Sequence, residues 1–268
     1  MGPTRQRSVA IAAVLVLLLA SCASDGATAP APAPAGSSIV RSTHVYGTSS
    51  DGHDLVLDVV RTRGGSTKRP VMVLVHGGGF QKGSRTEYRR EAGYLARRGW
   101  VVVPVDYELR GGDIDHDRAA AVAALHVAVG DVSDAIAWLR RHVQDFDGDP
   151  DQIVAFGESA GGTTATALAY EGSPASQVVA AVSASGRTDP YFYPEFDRGD
   201  APMLFVSWRS DPADDVELSR RNCAAARRVG IRCENEVLEG DQHGLDLVAH
   251  HDIVERFFAA AGVAPGER

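Results

Sequence analysis

The sequence has few lysines, few cysteines and fewer basic than acidic residues. Only Lys68 and Lys82 are lysines among 268 residues, and 27 basic residues stand against 35 acidic ones, for a formal net charge of −8. A surface with this balance repels the phosphates of nucleic acids and the head groups of anionic lipids. We therefore predict no nucleic-acid partner.

The N-terminus lacks a hydrophobic run long enough to span a bilayer, which takes ~20 residues. Residues 1–7 carry two arginines and no acid, and an apolar run covers residues 9–20. This order is typical of a signal peptide. The run ends in Leu19-Ala20-Ser21-Cys22, which resembles the lipobox of bacterial lipoproteins and would make Cys22 the lipidated N-terminus. The alternative is an ordinary secretory signal cut at a small residue, with Cys22 there by chance.

Three segments follow from this pattern. Residues 1–21 are predicted to be the lipoprotein signal peptide, and residues 22–38 a Pro/Ala-rich tether with nothing to bury. Residues 39–268 form one predicted domain, large enough for a core. We expect the protein to be exported and anchored to the membrane by lipid, outside the cytoplasm. The oligomeric state stays open.

The two other cysteines, Cys223 and Cys233, lie in the last third of the chain. In an oxidising compartment they are predicted to form a disulfide between a helix and a strand. Two separate buried thiols are the alternative. Their spacing fits no zinc motif, and we predict neither a metal nor a cofactor.

Strands and helices alternate along the whole domain. Period-two or continuous apolar patterns predict strands at residues 54–60, 71–76, 100–107, 152–157, 177–185, 201–208 and 231–240. Helices are predicted at residues 86–99, 118–143 with a break at Gly130-Asp131, 160–172, 214–230 and 245–261. Strands that alternate with helices of this length form parallel βαβ units. The predicted fold class is α/β, a doubly wound and mostly parallel sheet with helices on both faces.

The clearest motif is Gly157-Glu158-Ser159-Ala160-Gly161, which matches G-x-S-x-G between a predicted strand and a predicted helix. A sharp strand-to-helix turn exposes such a serine above the sheet, and small residues on either side let the strand and helix approach closely. We predict that Ser159 is a nucleophile and that Gly157, Glu158 and Gly161 support its turn, as Gly77 supports the glycine loop after the earlier strand. A glycine-rich turn with an incidental serine is the alternative.

Three glycines, Gly77, Gly78 and Gly79, directly follow the strand that ends at His76. A tetrahedral intermediate needs backbone N–H donors ~3 Å from its oxyanion, and side chains would block them. We predict that Gly78, Gly79 and Ala160 supply these donors. His76 is predicted to orient the loop by hydrogen bonding and not to act as the base.

At this point the chain resembles the α/β-hydrolase superfamily, in particular the small esterases marked by HGGG and by GESAGG or GDSAGG, of the hormone-sensitive-lipase-like and acetyl- or feruloyl-esterase-like types. The matching motifs are His76–Gly79, Val105-Asp106-Tyr107, Gly148-Asp149-Pro150-Asp151 and Gly157–Gly162. The resemblance covers nearly all of residues 39–261. It implies an α/β-hydrolase fold with little or no cap, a turn at the Gly-Asp-Pro motif, and a serine, an acid and a histidine in that chain order.

The resemblance also places the two partners of the serine. The acid should follow a later strand, where Asp211 lies just past residues 203–208. Asp189, after the preceding strand, is the rival, and Asp214 and Asp215 are expected to begin the next helix. The base should follow the last strand, where His243 lies, whereas His250 and His251 are expected inside the final helix.

The predicted chemistry is hydrolysis of carboxylic esters through an acyl-enzyme, with His243 as base and Asp211 as its orienting acid. An open site without a cap favours short acyl chains, or exposed acyl groups on a larger substrate. Two other functions stay open: an amidase or peptidase with the same triad, and a non-catalytic scaffold that only binds a ligand. Five aromatic residues are further candidates for lining a pocket: Phe80, Tyr191, Phe192, Tyr193 and Trp208.

Overall fold

The domain is built on one sheet of eight strands, counted over the residues that the computed structural model describes, which are 38–64, 68–112, 114, 116–187 and 195–265. The strands are β1 (Ile39–Thr48), β2 (Asp54–Thr62), β3 (Arg69–Val75), β4 (Val101–Val105), β5 (Gly148–Glu158), β6 (Ala181–Ala184), β7 (Met203–Trp208) and β8 (Cys233–Leu238). Their order across the sheet is β1-β2-β4-β3-β5-β6-β7-β8. The β1–β2 and β2–β4 pairs are antiparallel. The pairs from β4 across to β8 are all parallel.

Five α-helices cover the two faces of this sheet within the described residues. They are α1 (Arg89–Arg97), α2 (Arg118–His142), α3 (Ala160–Glu171), α4 (Val216–Arg228) and α5 (His251–Ala260). Buried residues of α2, α3 and α4 share one core with Val71, Val73 and Val75. Buried residues of α1 and α5 share the other core with Met72 and Leu74. Side chains of a strand alternate between faces, so a strand buried on both sides reads as continuously apolar. The predicted fold class is confirmed.

Helix α2 runs without interruption, so the predicted break at Gly130-Asp131 is wrong. Glycine inside a helix costs only about 1 kcal/mol relative to alanine, and the buried neighbours Ala128 and Val132 hold the helix on the sheet. By length and composition the segment Arg118–Phe146 could also cross a membrane. Burial of one side of α2 against the sheet accounts for that apolar composition.

Other differences from the sequence prediction concern one whole strand and the ends of two elements. Strand β1 was not predicted. Residues Gly148–Asp151, predicted as a turn, are the first residues of β5, where the pairing of β5 with β3 shifts in register. Helix α5 begins at His251 instead of Leu245, with His250 at its N-cap. The carboxylate of Asp246 explains the later start, because its Oδ1 accepts hydrogen bonds from the N–H groups of Val248 and Ala249 at 3.0 Å each.

The disulfide between Cys223 and Cys233 is present. It joins the middle of α4 to the first residue of β8. Both cysteines are buried. The alternative of two separate thiols is therefore wrong, and the bond ties the outermost parallel strand to the helix that precedes it.

Candidate active site

Ser159 lies at the sharp turn between β5 and α3, with φ 52° and ψ −119°. This is a strained conformation for a residue with a side chain. The two flanking glycines permit it. A Cβ on Gly157 would lie 2.1 Å from Gly161 O, and a Cβ on Gly161 would lie 2.1 Å from Val75 O. Only glycine at both positions lets α3 start so close to the strands, which raises Ser159 above the carboxyl edge of the sheet.

Three predicted residues meet at this edge. His243 Nε2 lies 2.8 Å from Ser159 Oγ, and His243 Nδ1 lies 2.8 Å from Asp211 Oδ2. An ionised carboxylate only accepts hydrogen bonds, so Nδ1 donates to Asp211 and Nε2 is left to accept the serine proton. The hydrogen-bonded chain from carboxylate to imidazole to hydroxyl has the geometry of a Ser-His-Asp triad.

Asp211 follows β7, and its side chain is completely buried. Its second oxygen, Oδ1, accepts a hydrogen bond from Ala213 N at 2.9 Å, which fixes the plane of the carboxylate. Asp215 is the N-cap of α4, as expected from the sequence, and accepts from the first N–H groups of that helix. The rival acid Asp189 lies outside the described residues. The geometry therefore favours Asp211 as the partner of His243.

The loop that carries His243 is held from two sides. Trp208 Nε1 donates to Gly244 O at 2.7 Å, and Leu245 N donates to Glu158 Oε1 at 3.3 Å. Trp208 was predicted to line a pocket, but it braces the histidine loop from the end of β7. The sequence offered no sign of this role, because it depends on β7 and β8 being neighbours in the sheet.

Glu158 is a buried titratable group that directly precedes Ser159. Burial, with a smaller contribution from the negative charges of Glu91, Glu87 and Asp246, raises the pKa of its carboxyl to about 7, against the lowering effect of the hydrogen bond from Leu245 N. From its place in the motif, Glu158 was predicted only to support the serine turn. The structure adds that its carboxyl packs against Gly244 and changes protonation near neutral pH, within the same pH range as an ordinary histidine.

The glycine loop after β3 has the backbone conformation that its predicted role requires. Gly78 and Gly79 have positive φ angles of 102° and 61°. A Cβ on Gly78 would lie 2.0 Å from Lys82 O, so no other residue fits there. Within the described part of the chain, the N–H groups of Gly78, Gly79 and Ala160 donate no hydrogen bond. These three groups are therefore available to a ligand beside Ser159, as an oxyanion hole needs.

His76 is buried below this loop. Its Nδ1 donates to Gly77 O at 2.8 Å, and its ring stacks on Tyr107 with centroids 4.3 Å apart. Tyr107 Oη also donates to His76 O at 3.0 Å. Burial lowers the pKa of His76, which keeps the ring neutral. These contacts fit the support role that was predicted for His76, and they leave the role of base to His243.

An ion-pair network anchors the segment that follows the glycine loop. Arg85 donates to Asp106 through its backbone N and through Nη1, both at 2.6 Å, and its Nε donates to Asp58 at 3.2 Å. Asp106 of the Val-Asp-Tyr motif thereby connects the end of β4 to the segment that follows the glycine loop. The Val-Asp-Tyr motif is visible in the sequence, but its contact with Arg85 is not.

Two clefts flank Ser159 and share His243 and Gly79 in their walls. The smaller has a volume of about 140 Å³ and is lined by Phe80, Thr163, Ala213, Ala160 and Arg187. The larger has a volume of about 480 Å³ and is lined by Gln81, Lys82, Glu87, Glu158 and Gly244, with Gly77 and Gly78. Phe80 lines a cleft as predicted, whereas Tyr191, Phe192 and Tyr193 lie outside the described residues. Thr163 and Arg187 were not predicted.

Comparison with known proteins agrees with this geometry. The model of the carboxylesterase family matches residues 21–201, which is more than half of the sequence. The chain belongs to the carboxylesterase family. The match includes His76–Gly79 and Ser159 and ends before Asp211 and His243. The contacts described above, and not the family match, therefore associate Asp211 and His243 with Ser159.

Relatives by sequence match only part of their own length. A para-nitrobenzyl esterase of Bacillus subtilis is 37% identical over 105 residues, which is 38% of this chain and 22% of that protein. An acetylcholinesterase of Gallus gallus is 38% identical over 109 residues, 40% of this chain and 14% of that protein. The family member described here thus spans less than a quarter of the length of these relatives.

Solved structures match the fold as a whole. Esterase 2 of Thermogutta terrifontis in its apo form has a TM-score of 0.68 and 25% identity, over 88% of this chain and 98% of that chain. The butyrate-bound form of that esterase has a TM-score of 0.69 and 24% identity, over 84% and 96%. The carboxylesterase-family chain therefore has the fold of a small esterase over most of its length.

Proposed function

We propose that the protein is a serine hydrolase that cleaves carboxylic esters. The observation that carries this proposal is the chain of two 2.8 Å contacts from Asp211 through His243 to Ser159. The family supports ester hydrolysis as the reaction. An amidase with the same triad remains a second reading, to which no contact in the site gives preference.

The reaction proceeds in two steps. Ser159 Oγ attacks the acyl carbon while His243 Nε2 takes its proton, and the charge on the carbonyl oxygen is stabilised by the N–H groups of Gly78, Gly79 and Ala160. His243 then gives the proton to the departing alcohol as the acyl–oxygen bond breaks. Water, activated by His243, hydrolyses the acyl-enzyme and restores Ser159.

The acyl group is proposed to be short. The smaller cleft beside Ser159 has a volume of about 140 Å³, with Phe80 in its wall, which leaves space for a few carbon atoms. The similar Thermogutta terrifontis esterase 2 was solved with butyrate and with propionate bound. Within the family, we propose a small esterase of the hormone-sensitive-lipase-like or acetyl-esterase-like type.

Hydrolysis of 4-nitrophenyl esters from acetate to palmitate tests the reaction and the chain length together. We expect activity that peaks at acetate to butyrate and is lost in Ser159→Ala. Ser173→Ala is the matched control, because Ser173 is exposed and lies just beyond the other end of α3. If wild type and Ser159→Ala release nitrophenol at the same rate, the proposal is wrong and amide substrates come next.

The protein is further proposed to be a lipoprotein, anchored outside the cytoplasm through Cys22. The sequence Leu19-Ala20-Ser21-Cys22 and the tether behind it support this proposal. Growth with a clickable fatty acid should label the wild-type protein and not Cys22→Ala. Cys22→Ala should then leave the membrane fraction or retain its leader. Equal labelling of both proteins would contradict the proposal.

A further inference from the structure

The larger cleft beside Ser159 has polar walls, and none of the described residues that line it is a phenylalanine, tyrosine or tryptophan. Its charged side chains are Lys82, Glu87 and Glu158. A cleft of this kind offers little on which an aryl group could stack, and it gives little apolar contact to a long alkyl chain. A ligand group that binds in this cleft therefore gains most from hydrogen bonds to its polar walls.

Lys82 is fixed at the mouth of this cleft by the glycine loop. Its backbone N–H donates to Gly78 O at 3.2 Å, so its Cα moves with the predicted oxyanion hole. Among the described residues its ammonium group forms no ion pair or hydrogen bond. Three N–H donors are therefore available in the cleft that Ser159 also lines.

The acceptors of the cleft are carboxylates. Glu87 is oriented by the capping box of the turn at Arg85–Tyr88, in which Ser84 N donates to Glu87 Oε1 at 3.2 Å. The second oxygen of Glu87 remains an acceptor, and the carboxyl of Glu158 lies deeper in the same cleft. An alcohol hydroxyl both donates and accepts, so several hydroxyls on one molecule match this mixed set of groups.

Both clefts reach His243, whose Nε2 delivers a proton to the oxygen of the departing alcohol. The size and lining of the clefts therefore assign the two parts of the ester. The smaller cleft, at about 140 Å³, suits a short acyl group. The larger cleft, with the charged side chains of Lys82, Glu87 and Glu158 in its walls, then holds the alcohol.

We infer that the substrates are short-acyl esters of neutral polyhydroxy alcohols, such as an acylated sugar or glycerol, with Lys82 and Glu87 binding the free hydroxyls. This inference rests on the proposed esterase function and adds the alcohol that the enzyme selects. In the reaction, the bond between the acyl carbon and the polyol oxygen breaks while the bond to Ser159 Oγ forms. The polyol leaves with the serine proton, which His243 relays, and water later releases the short acid.

The test compares two esters with the same acyl group, glycerol 1-monoacetate and 2-methoxyethyl acetate. Both form the same acetyl-enzyme, so a difference in kcat/KM reports only the alcohol. Their alcohols have similar acidity, but 2-methoxyethanol presents no free hydroxyl once it is esterified. We expect wild type to prefer the glycerol ester by about tenfold in kcat/KM.

Lys82→Met keeps the length of the side chain and removes its donors. We expect kcat/KM for the glycerol ester to fall about three- to tenfold, through KM, and that for the methoxyethyl ester to fall less, because it keeps only one ether oxygen as an acceptor. Lys82→Arg should restore the preference, since it returns the donors. Lys68→Met, at the other lysine of the chain, is the control and should match wild type.

The possible failures are distinct. Hydrolysis of neither ester by wild type overturns the proposed function itself. Equal hydrolysis of both esters by wild type leaves the esterase standing and overturns the polyol inference. An equal fall of both rates in Lys82→Met shows damage to the glycine loop, and the selectivity of Lys82→Arg between the two esters then decides. Equal rates on both esters contradict the inference, and a kept preference for the glycerol ester supports it.

Discussion

His243 and Ser159 are 84 residues apart in the chain, and their Nε2 and Oγ atoms are 2.8 Å apart in space. The contact exists because β5, β7 and β8 are parallel strands of one sheet, and the segments that follow them leave at the same edge. This edge is where open α/β sheets bind their ligands. The geometry at that edge leads to three further predictions, and the disulfide at the start of β8 leads to a fourth.

Asp211→Asn should reduce kcat about 10³- to 10⁴-fold, because an amide no longer holds His243 in the tautomer that accepts the serine proton. Asp214→Asn is the matched control, since Asp214 is close by but does not contact His243 Nδ1. It should lose less than about tenfold. Asp189→Asn tests the rival acid and should keep activity. Loss of activity in Asp189→Asn with an active Asp211→Asn would reverse the assignment.

Gly78→Ala should abolish most of the activity, because its Cβ would lie 2.0 Å from Lys82 O and would push the loop away from Ser159. Gly79→Ala is the comparison variant. Gly79 has a positive φ of 61° as well, yet nothing lies within 4 Å of its Cβ, so only the backbone strain of about 1–2 kcal/mol remains. Kinetics and circular dichroism of both variants check this. Equal losses would show that strain, not the collision, governs the loop.

Stability should depend on pH through Glu158. Its pKa is about 7 in the folded protein, against 4.5 for an unperturbed glutamate, because burial disfavours the charge. The unfolded chain then loses this proton before the native protein does, so the stability contribution is present below pH 4.5 and is lost as the pH rises toward 7. The full effect is roughly 3 kcal/mol.

Glu158→Gln removes this titration. Denaturant unfolding at pH 5 and pH 8 should show that the free energy of unfolding of the wild type drops more than that of Glu158→Gln, by roughly 2–3 kcal/mol. Glu217→Gln, an exposed glutamate at the start of α4, serves as control. Parallel pH dependence in wild type and Glu158→Gln would mean that Glu158 is not held protonated at pH 5.

The disulfide between Cys223 and Cys233 should contribute about 2–3 kcal/mol to the free energy of unfolding, since it closes a short loop of the unfolded chain. The double variant Cys223→Ala/Cys233→Ala should lose at least that much. A reductant should destabilise the wild type by a similar amount and leave the double variant unchanged. A wild type that is indifferent to strong reductant under unfolding conditions would contradict the expectation.

The sequence by itself determined the α/β class and singled out Ser159 as the candidate nucleophile. Continuous apolar runs such as 71–75 occur where a strand is buried on both faces. Between a strand and a helix, the motif Gly157-Glu158-Ser159-Ala160-Gly161 is typical of a sharp turn that exposes its serine. These are local properties, set by the φ and ψ angles that each residue tolerates and by which faces it buries. Local pattern failed at Gly130 and at the start of α5, where packing and the Asp246 turn override it.

Only the tertiary structure decided what lies next to what. Trp208 and Glu158 brace the histidine loop because β5 and β7 end beside it, and no spacing along the chain reveals that neighbourhood. The pKa of Glu158 and the ties of Arg85 to Asp106 and Asp58 are likewise consequences of burial and of distances across the fold. Residue types set which groups can react, and the order of strands in the sheet brings these groups to within hydrogen-bonding distance.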